Sequence, residues 1–277
     1  MKMTRQAKSV SSISIGTLIL IAVLLLVWEL SSALSLISRL FFPPPSVILK
    51  TFYKLLLDGR LLKNTSATLM RICLGSLMGI VPGVLMGVLM GWSKRLRTLF
   101  DPLIAALHPI PKIAIFPLIL IIFGIGEMSN IVVIAISAFF PALVNSMTGV
   151  GQLDPVYFEV ARNYGANRWK TFSRILIPGS LPSILSGVRL GLNTGLLIAI
   201  AVELISAKSG LGVMVWFSWQ TLRVEELYAS LIVVAGLGIL INVGLKALSN
   251  WLAPWNADQI QYTLDTQKSR HSWPASH

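Results

Sequence analysis

This 277-residue chain is poor in the residues on which soluble chemistry usually rests. Its one cysteine, Cys73, sits in an apolar stretch, which excludes an intrachain disulfide framework and a cysteine-built metal centre. Histidine occurs three times. Neither HExxH nor GxSxG is present, so the zinc-peptidase helix and the hydrolase nucleophile elbow are excluded. No GxxxxGK followed by Ser or Thr occurs, and with it goes nucleotide binding by a phosphate loop. Charge is scarce as well: 12% of residues are Asp, Glu, Lys or Arg against 55% apolar, with a mean hydropathy of +0.76. That balance excludes an ordinary soluble domain and points to an all-α integral membrane protein.

Long apolar runs are what the chain has in abundance. Met1 to Val10 carries Lys2, Arg5 and Lys8 and leads into ISIGTLILIAVLLLVWEL. At about 1.5 Å per helical residue this run reaches across a hydrocarbon core of about 30 Å. It is read as a span and not as a cleaved leader, because no clear small-x-small site follows it. Further runs at about 66–92, 102–124, 128–150, 183–206 and 227–250 bring the count to about six transmembrane helices. Trp28, Trp92, Trp251 and Trp255 fall at their ends, as interfacial anchors do.

The formal net charge of +12 lies between these runs and not along one stripe, which fits cytoplasmic loops and not a nucleic-acid surface. With both termini inside, Lys94, Arg95, Arg97, Arg162, Arg168, Lys170, Arg174, Lys268 and Arg270 are all cytoplasmic. Arg39, Lys50, Lys54, Arg60 and Lys63 resist this topology, since they fall on the outer side. Part of that loop, SVILKTFYKLLLDG, follows the breaker FFPPP with helical spacing and is expected to lie in the interface. Gly75, Gly79, Gly83, Gly87 and Gly91 recur every fourth residue, a face for close helix packing either within the chain or against another subunit. Pro82 within the series predicts a kink.

Residues 159–178, EVARNYGANRWKTFSRILIP, interrupt the apolar runs with a basic block. Asp154 then Pro155 is a helix-start signature, and Gly165 closes the short helix that follows. Asn167 caps a second helix, expected to end at Pro178 and Gly179. That second helix sets Trp169, Phe172, Ile175 and Leu176 on an apolar face beside Arg168, Lys170 and Arg174. A lipid-resting surface, an active-site loop and a docking surface for a soluble partner all remain open from the pattern.

Glu159, Ala161, Gly165, Ala166, Phe172, Ile175 and Pro178 match EAAxxxGAxxxxxFxxIxLP, apart from Val160 and Ile177. The block thereby resembles the EAA loop of the permease subunits of binding-protein-dependent ABC importers. PIPKIAIFPLILIIFGIGE at 109–127, GSLPSILSGVRLGL at 179–192 and ELISAKSGLG at 203–212 are similar to the nitrate, sulfonate and taurine branch, and the likeness covers roughly residues 15–257. The resemblance implies a type I, MetI-like permease fold, with a cytoplasmic segment at 1–12, a transmembrane domain at 13–253, a coupling loop at 154–179 and a tail at 254–277. It implies a multi-pass subunit of the bacterial inner membrane that carries a small anion by alternating access and is itself no enzyme. Its implied partners are two ATPase subunits, a second copy of the permease and an external binding protein, with no nucleic acid; ATP and Mg are held by the ATPase and no cofactor by this chain. Glu159 is then a polar contact to the ATPase, Gly165 and Ala166 the turn, and Trp169 and Phe172 the anchors.

Polar groups inside spans are costly and so are candidates for the solute pathway. Lys112 and His108 flank a Pro pair, Arg189 lies in the fifth span and Glu203 nears its outer end. Each has a structural alternative: a lysine stem snorkels to the interface, and His108 suits a helix end. An ATP-independent carrier or channel remains the rival function, although the membrane acids reduce to Glu29, Glu127 and Glu203, all near predicted span ends.

Overall fold

The computed structural model describes residues 15–255. The expected segment at 1–12 and the tail with Lys268 and Arg270 lie outside the described residues. Among the described residues eleven α-helices follow one another: α1 (Ile15–Ala33), α2 (Pro45–Leu57), α3 (Arg60–Trp92), α4 (Lys94–Leu107), α5 (Phe116–Phe123), α6 (Glu127–Gly151), α7 (Pro155–Asn163), α8 (Arg168–Thr171), α9 (Ile177–Ser206), α10 (Leu211–Gln220) and α11 (Val224–Leu252). No strand occurs among the described residues. Five helical stretches are long and apolar enough to cross a membrane, and a sixth crossing exists if α4 and the Lys112–Phe123 stretch, bent by 84°, count as one broken span. The break was legible in His108–Pro109–Ile110–Pro111, where two prolines remove backbone donors within three residues.

Two compact units make up the chain, 15–61 with 214–231 and 62–213 with 232–255. In the smaller, the polar groups are taken up by helix ends. Glu29 on α1 accepts from the Ser46 N–H at 3.0 Å and from its hydroxyl at 2.7 Å, so a carboxylate sits at the N-terminus of α2 where the helix dipole favours it. Arg39 turns back to the carbonyls of Ser32, at 2.9 Å, and Ala33, which ends α1. Asp58 accepts from the Arg60 N–H at 3.1 Å and from its guanidinium at 2.9 Å, contacts that hold its carboxyl below the usual Asp range. Arg39 and Arg60, two of the basic residues that resist the topology, therefore act as cap and ion-pair partners.

In the larger unit α6 is the central element. It is apolar and small-faced, and α3 and α9 lie along it through their glycines. A Cβ on Gly75 would stand 2.7 Å from the Ile134 side chain and one on Gly91 2.6 Å from Val150. Between them Gly79, Gly83 and Gly87 face the carbonyls of Ala135, Phe139 and Leu143. The five-glycine stripe thus packs within the chain, backbone against backbone, the geometry that small-xxx-small spacing permits. From α9, Gly187 and Gly191 meet Pro141, Ala142 and Ala138 in the same way. Buried apolar side chains fill the remaining space: Met90, Ile104, Phe140, Leu143 and Met147 form one cluster, and Phe116, Ile119, Val133 and Val202 another.

Replacing Gly79 or Gly87 with Leu overpacks this seam and is expected to destabilise by about 1–3 kcal/mol or more. Gly236, whose Cβ would meet nothing within 4 Å, should accept Ala at no cost. Thermal unfolding of the detergent-solubilised variants, followed by size-exclusion chromatography, distinguishes the two.

Candidate functional site

The basic block folds as its capping residues dictate. Asp154 accepts from the Val156 N–H at 2.9 Å, with Pro155 as the first helical residue of α7. At the far end Ala166 donates to the Ala161 carbonyl at 2.9 Å and Gly165 to that of Arg162 at 3.0 Å, the paired bonds of a Schellman turn. That turn needs a left-handed residue, and Gly165 has φ +70°. Asn167 then accepts from the Lys170 N–H at 2.8 Å and starts α8.

The structure corrects the expected end of this second helix. Pro178 and Gly179 do not stop it: α8 passes through a π-turn at Phe172–Leu176 straight into α9, a helical stretch of 39 residues from Arg168 to Ser206. The reason lies in the hydrogen-bond ladder at that turn. Pro178 has no N–H to give, and the wider turn, in which the Ile177 N–H reaches back to the Phe172 carbonyl, absorbs the lost donor just before it. One arm of the loop is therefore the beginning of a span.

The sequence-selected residues divide by exposure. Glu159 is exposed and has no side-chain partner among the described residues. Trp169 is 70% exposed and Tyr164 88%. Val156, Tyr157, Val160, Tyr164, Lys170 and Arg174 line an open groove of about 550 Å³. Ala161 is buried, and Ala166 is half-buried beneath the turn. Phe172 stacks on Trp169, centroids 5.8 Å apart, approaches Trp92 of α3 at 5.2 Å and packs on the buried cluster of Val88, Val150, Leu176 and Ile184. It links the exposed Trp169 ring to the spans α3, α6 and α9.

The polar residues of the spans do not gather in one place. Lys112 Nζ donates to the carbonyls of Leu107, His108 and Ile110 at 3.1, 2.7 and 2.7 Å and lies 4.5 Å over the Phe140 ring. It caps the end of α4 at the break. The His108 ring also packs on Phe140, centroids 5.6 Å apart. Arg189 is half-buried on α9 with no side-chain partner among the described residues.

Glu203 sits in a cluster that sequence reasoning missed. Arg71, on α3, is 1% exposed and reaches Glu203 Oε1 with Nη1 at 2.7 Å. Its Nε and Nη2 grip both oxygens of Glu127 at 2.6 Å each, and Nη1 also donates to the Ser209 carbonyl at 2.6 Å. The other oxygen of Glu203 accepts from Thr68 Oγ1 and from the Gly212 N–H, both at 2.9 Å. The Leu211 N–H donates to Thr68 Oγ1 at 2.9 Å and the Gly210 N–H to Asn64 Oδ1 at 2.8 Å. Gly210, at φ +131°, lies so close to the Glu203 carboxylate that any side chain would collide with it. The 203–212 segment is folded around one guanidinium, which ties together α3, α6 and α9. The signal was present: an arginine in TLMRICLGS, inside an apolar run, is costly unless partnered.

Several helices long and apolar enough to cross a membrane, one of them continuous with an exposed basic loop, place the chain among multi-pass membrane proteins. Residues 79–257 match the family of binding-protein-dependent transport system inner membrane components, and the chain belongs to it. It is 37% identical over 252 residues to the taurine transport system permease protein TauC of Escherichia coli K12, covering 89% of this chain and 90% of that one. It is 34% identical over 238 residues, 86% of each chain, to the putative aliphatic sulfonates transport permease protein SsuC of Bacillus subtilis 168. Among solved structures, an inward-facing MetNI methionine ABC transporter chain superposes with a TM-score of 0.62 at 19% identity, over 71% of this chain and 97% of that one, a likeness of fold. The protein is a multi-pass inner-membrane permease subunit of an ATP-driven ABC importer, not an enzyme, and works with an ATPase and a binding protein. The ATP-independent carrier is set aside.

Arg71→Met leaves two carboxylates without their cation and is expected to destabilise by about 3–5 kcal/mol, whereas Arg71→Met with Glu203→Met and Glu127→Gln recovers much of the loss. Thermal unfolding of the purified variants measures this; equal destabilisation by the single and the triple change would refute the coupling.

Proposed function

We propose that this permease moves a small oxyanionic solute of the taurine, alkanesulfonate or nitrate kind by alternating access, as a pair of identical chains above two ATPase subunits. The observation that carries the reading is the exposed groove of α7 and α8 joined without a break to α9. Docked in an ATPase, that elbow transmits a displacement as rigid-body motion of the span behind it. Glu159 is free of partners within the described chain and suits a polar contact across that joint. Trp169 and Tyr164 offer aromatic anchors, and Phe172 passes the load inward.

The anionic solute rests on the sulfonate and taurine relatives together with a basic chain whose membrane acids are few. ATP and Mg²⁺ stay with the ATPase. Both termini face the cytoplasm, as the basic loops around Arg97 and Arg168 favour. Of the selected pathway residues, Arg189 suits an anion best, because Lys112 and Glu203 already have partners.

Gly165→Val forces a β-branched residue to a positive φ and costs about 1–3 kcal/mol of local strain, although its Cβ meets no neighbour. The variant should insert normally yet lose most nucleotide-driven uptake of radiolabelled taurine in proteoliposomes. Vanadate should stop uptake by the unaltered complex; uptake indifferent to vanadate would end the reading.

A further inference from the structure

We infer that α9 and α11 carry an oxyanion site in which Arg189 and Lys246 flank the amide pair Asn193–Asn242. The site takes one sulfonate- or phosphate-type group. The two amides exchange hydrogen bonds, each 3.2 Å long, and so fix the register of the two helices. Asn242 spends its second N–H on the Gly238 carbonyl at 2.8 Å. Asn193, half-buried, keeps one N–H with no acceptor among the described residues.

The placement of the cations follows from helix geometry. Both α9 and α11 are long enough to span, and the ten-residue α10 between them, about 15 Å in length, is too short to cross. The spans are therefore antiparallel. Arg189 stands four residues before Asn193 and Lys246 four residues after Asn242. Each is one turn from the amide pair, on its face, and both are displaced toward the coupling-loop side.

Acids are distant from both cations along the chain. The sequence holds none between Glu159 and Glu203 and none between Glu226 and Asp258. Neither cation enters an ion pair among the described residues. Arg71 shows what a resident charge looks like in this fold, with two carboxylates and a carbonyl around it. Arg189 and Lys246 have the opposite arrangement: two cations, each one turn from the same amide pair and with no carboxylate partner among the described residues, a placement that favours an anion between them.

Lys246 lies six residues before the end of α11 at Leu252, about 9 Å along the axis. At that depth the oxyanion has two sources, a transported anion near its exit or the phosphate of an acidic lipid. The first source rests on the solute class proposed above; the site itself does not.

The test uses the intact complex with its ATPase. Radiolabelled methanesulfonate binding is measured by equilibrium dialysis, and retained phosphatidylglycerol by native mass spectrometry. Arg189→Gln and Lys246→Gln should each weaken one of these by roughly tenfold or more, with Arg189→Lys largely preserving it and Lys208→Gln, at an exposed position off the site, without effect. Loss of methanesulfonate binding assigns the site to the transported anion, and loss of phosphatidylglycerol alone assigns it to lipid. If Arg189→Gln fails to assemble, Lys246→Gln at its exposed position gives the same reading. Both probes binding unchanged in that variant overturns the site. Vanadate-sensitive taurine uptake by the unaltered complex is scored separately, so a failed site and a failed solute reading are told apart.

Discussion

A guanidinium buried among membrane helices must carry its solvation with it, and Arg71 does so by recruiting three parts of the chain. Glu127 opens α6, Glu203 lies in the last turn of α9, and Ser209 belongs to the turn beyond. Arg71 and Glu203 are fully buried while Glu127 keeps an exposed edge, so the network joins α3 and the 203–212 turn to the start of α6 and the last turn of α9. The position of Glu203 then determines why Gly210 and Gly212 are needed, one for lack of space and the other for a free N–H at the carboxylate.

At the opposite end of α9 the constraint is of another kind. There the span continues into the α7–α8 loop through a π-turn, and Phe172 wedges that turn against Trp92 and the cluster of Val88, Val150, Leu176 and Ile184. Between the two ends α9 lies on α6 through glycines, which bring backbones together without side-chain freedom. A helix held by charge at one end, by close packing along its length and by an aromatic wedge at the other is tied to its neighbours at every level. That suits the rigid-body motion proposed above.

Much of the α7–α8 loop was legible because its determinants are local. Asp154–Pro155, Gly165 and Asn167 each act within a few residues, so caps and turn follow from residue type and spacing. The end of the second helix was not legible, since proline is a stop only where the ladder cannot widen, and the π-turn before Pro178 depends on how Phe172 and Leu176 are packed. Lys112 illustrates the same boundary. Its chemistry admits an anion, a snorkelling path or a helix cap, and the bend of the third span chose the cap by turning three carbonyls toward its ammonium.

The sequence by itself determined the rough limits of the apolar runs, a face of fourfold glycine spacing and the caps of the loop, because hydrophobic length, spacing and capping chemistry are properties of contiguous residues. Tertiary structure decided which charges are resident and which are open. Arg71 and Glu203 are 132 residues apart and Asn193 and Asn242 are 49 apart. No periodicity along the chain encodes that one charge finds its counter-ions while Arg189 does not. The sign and cost of a charge are written locally, but its neutralisation depends on what the fold brings within about 3 Å.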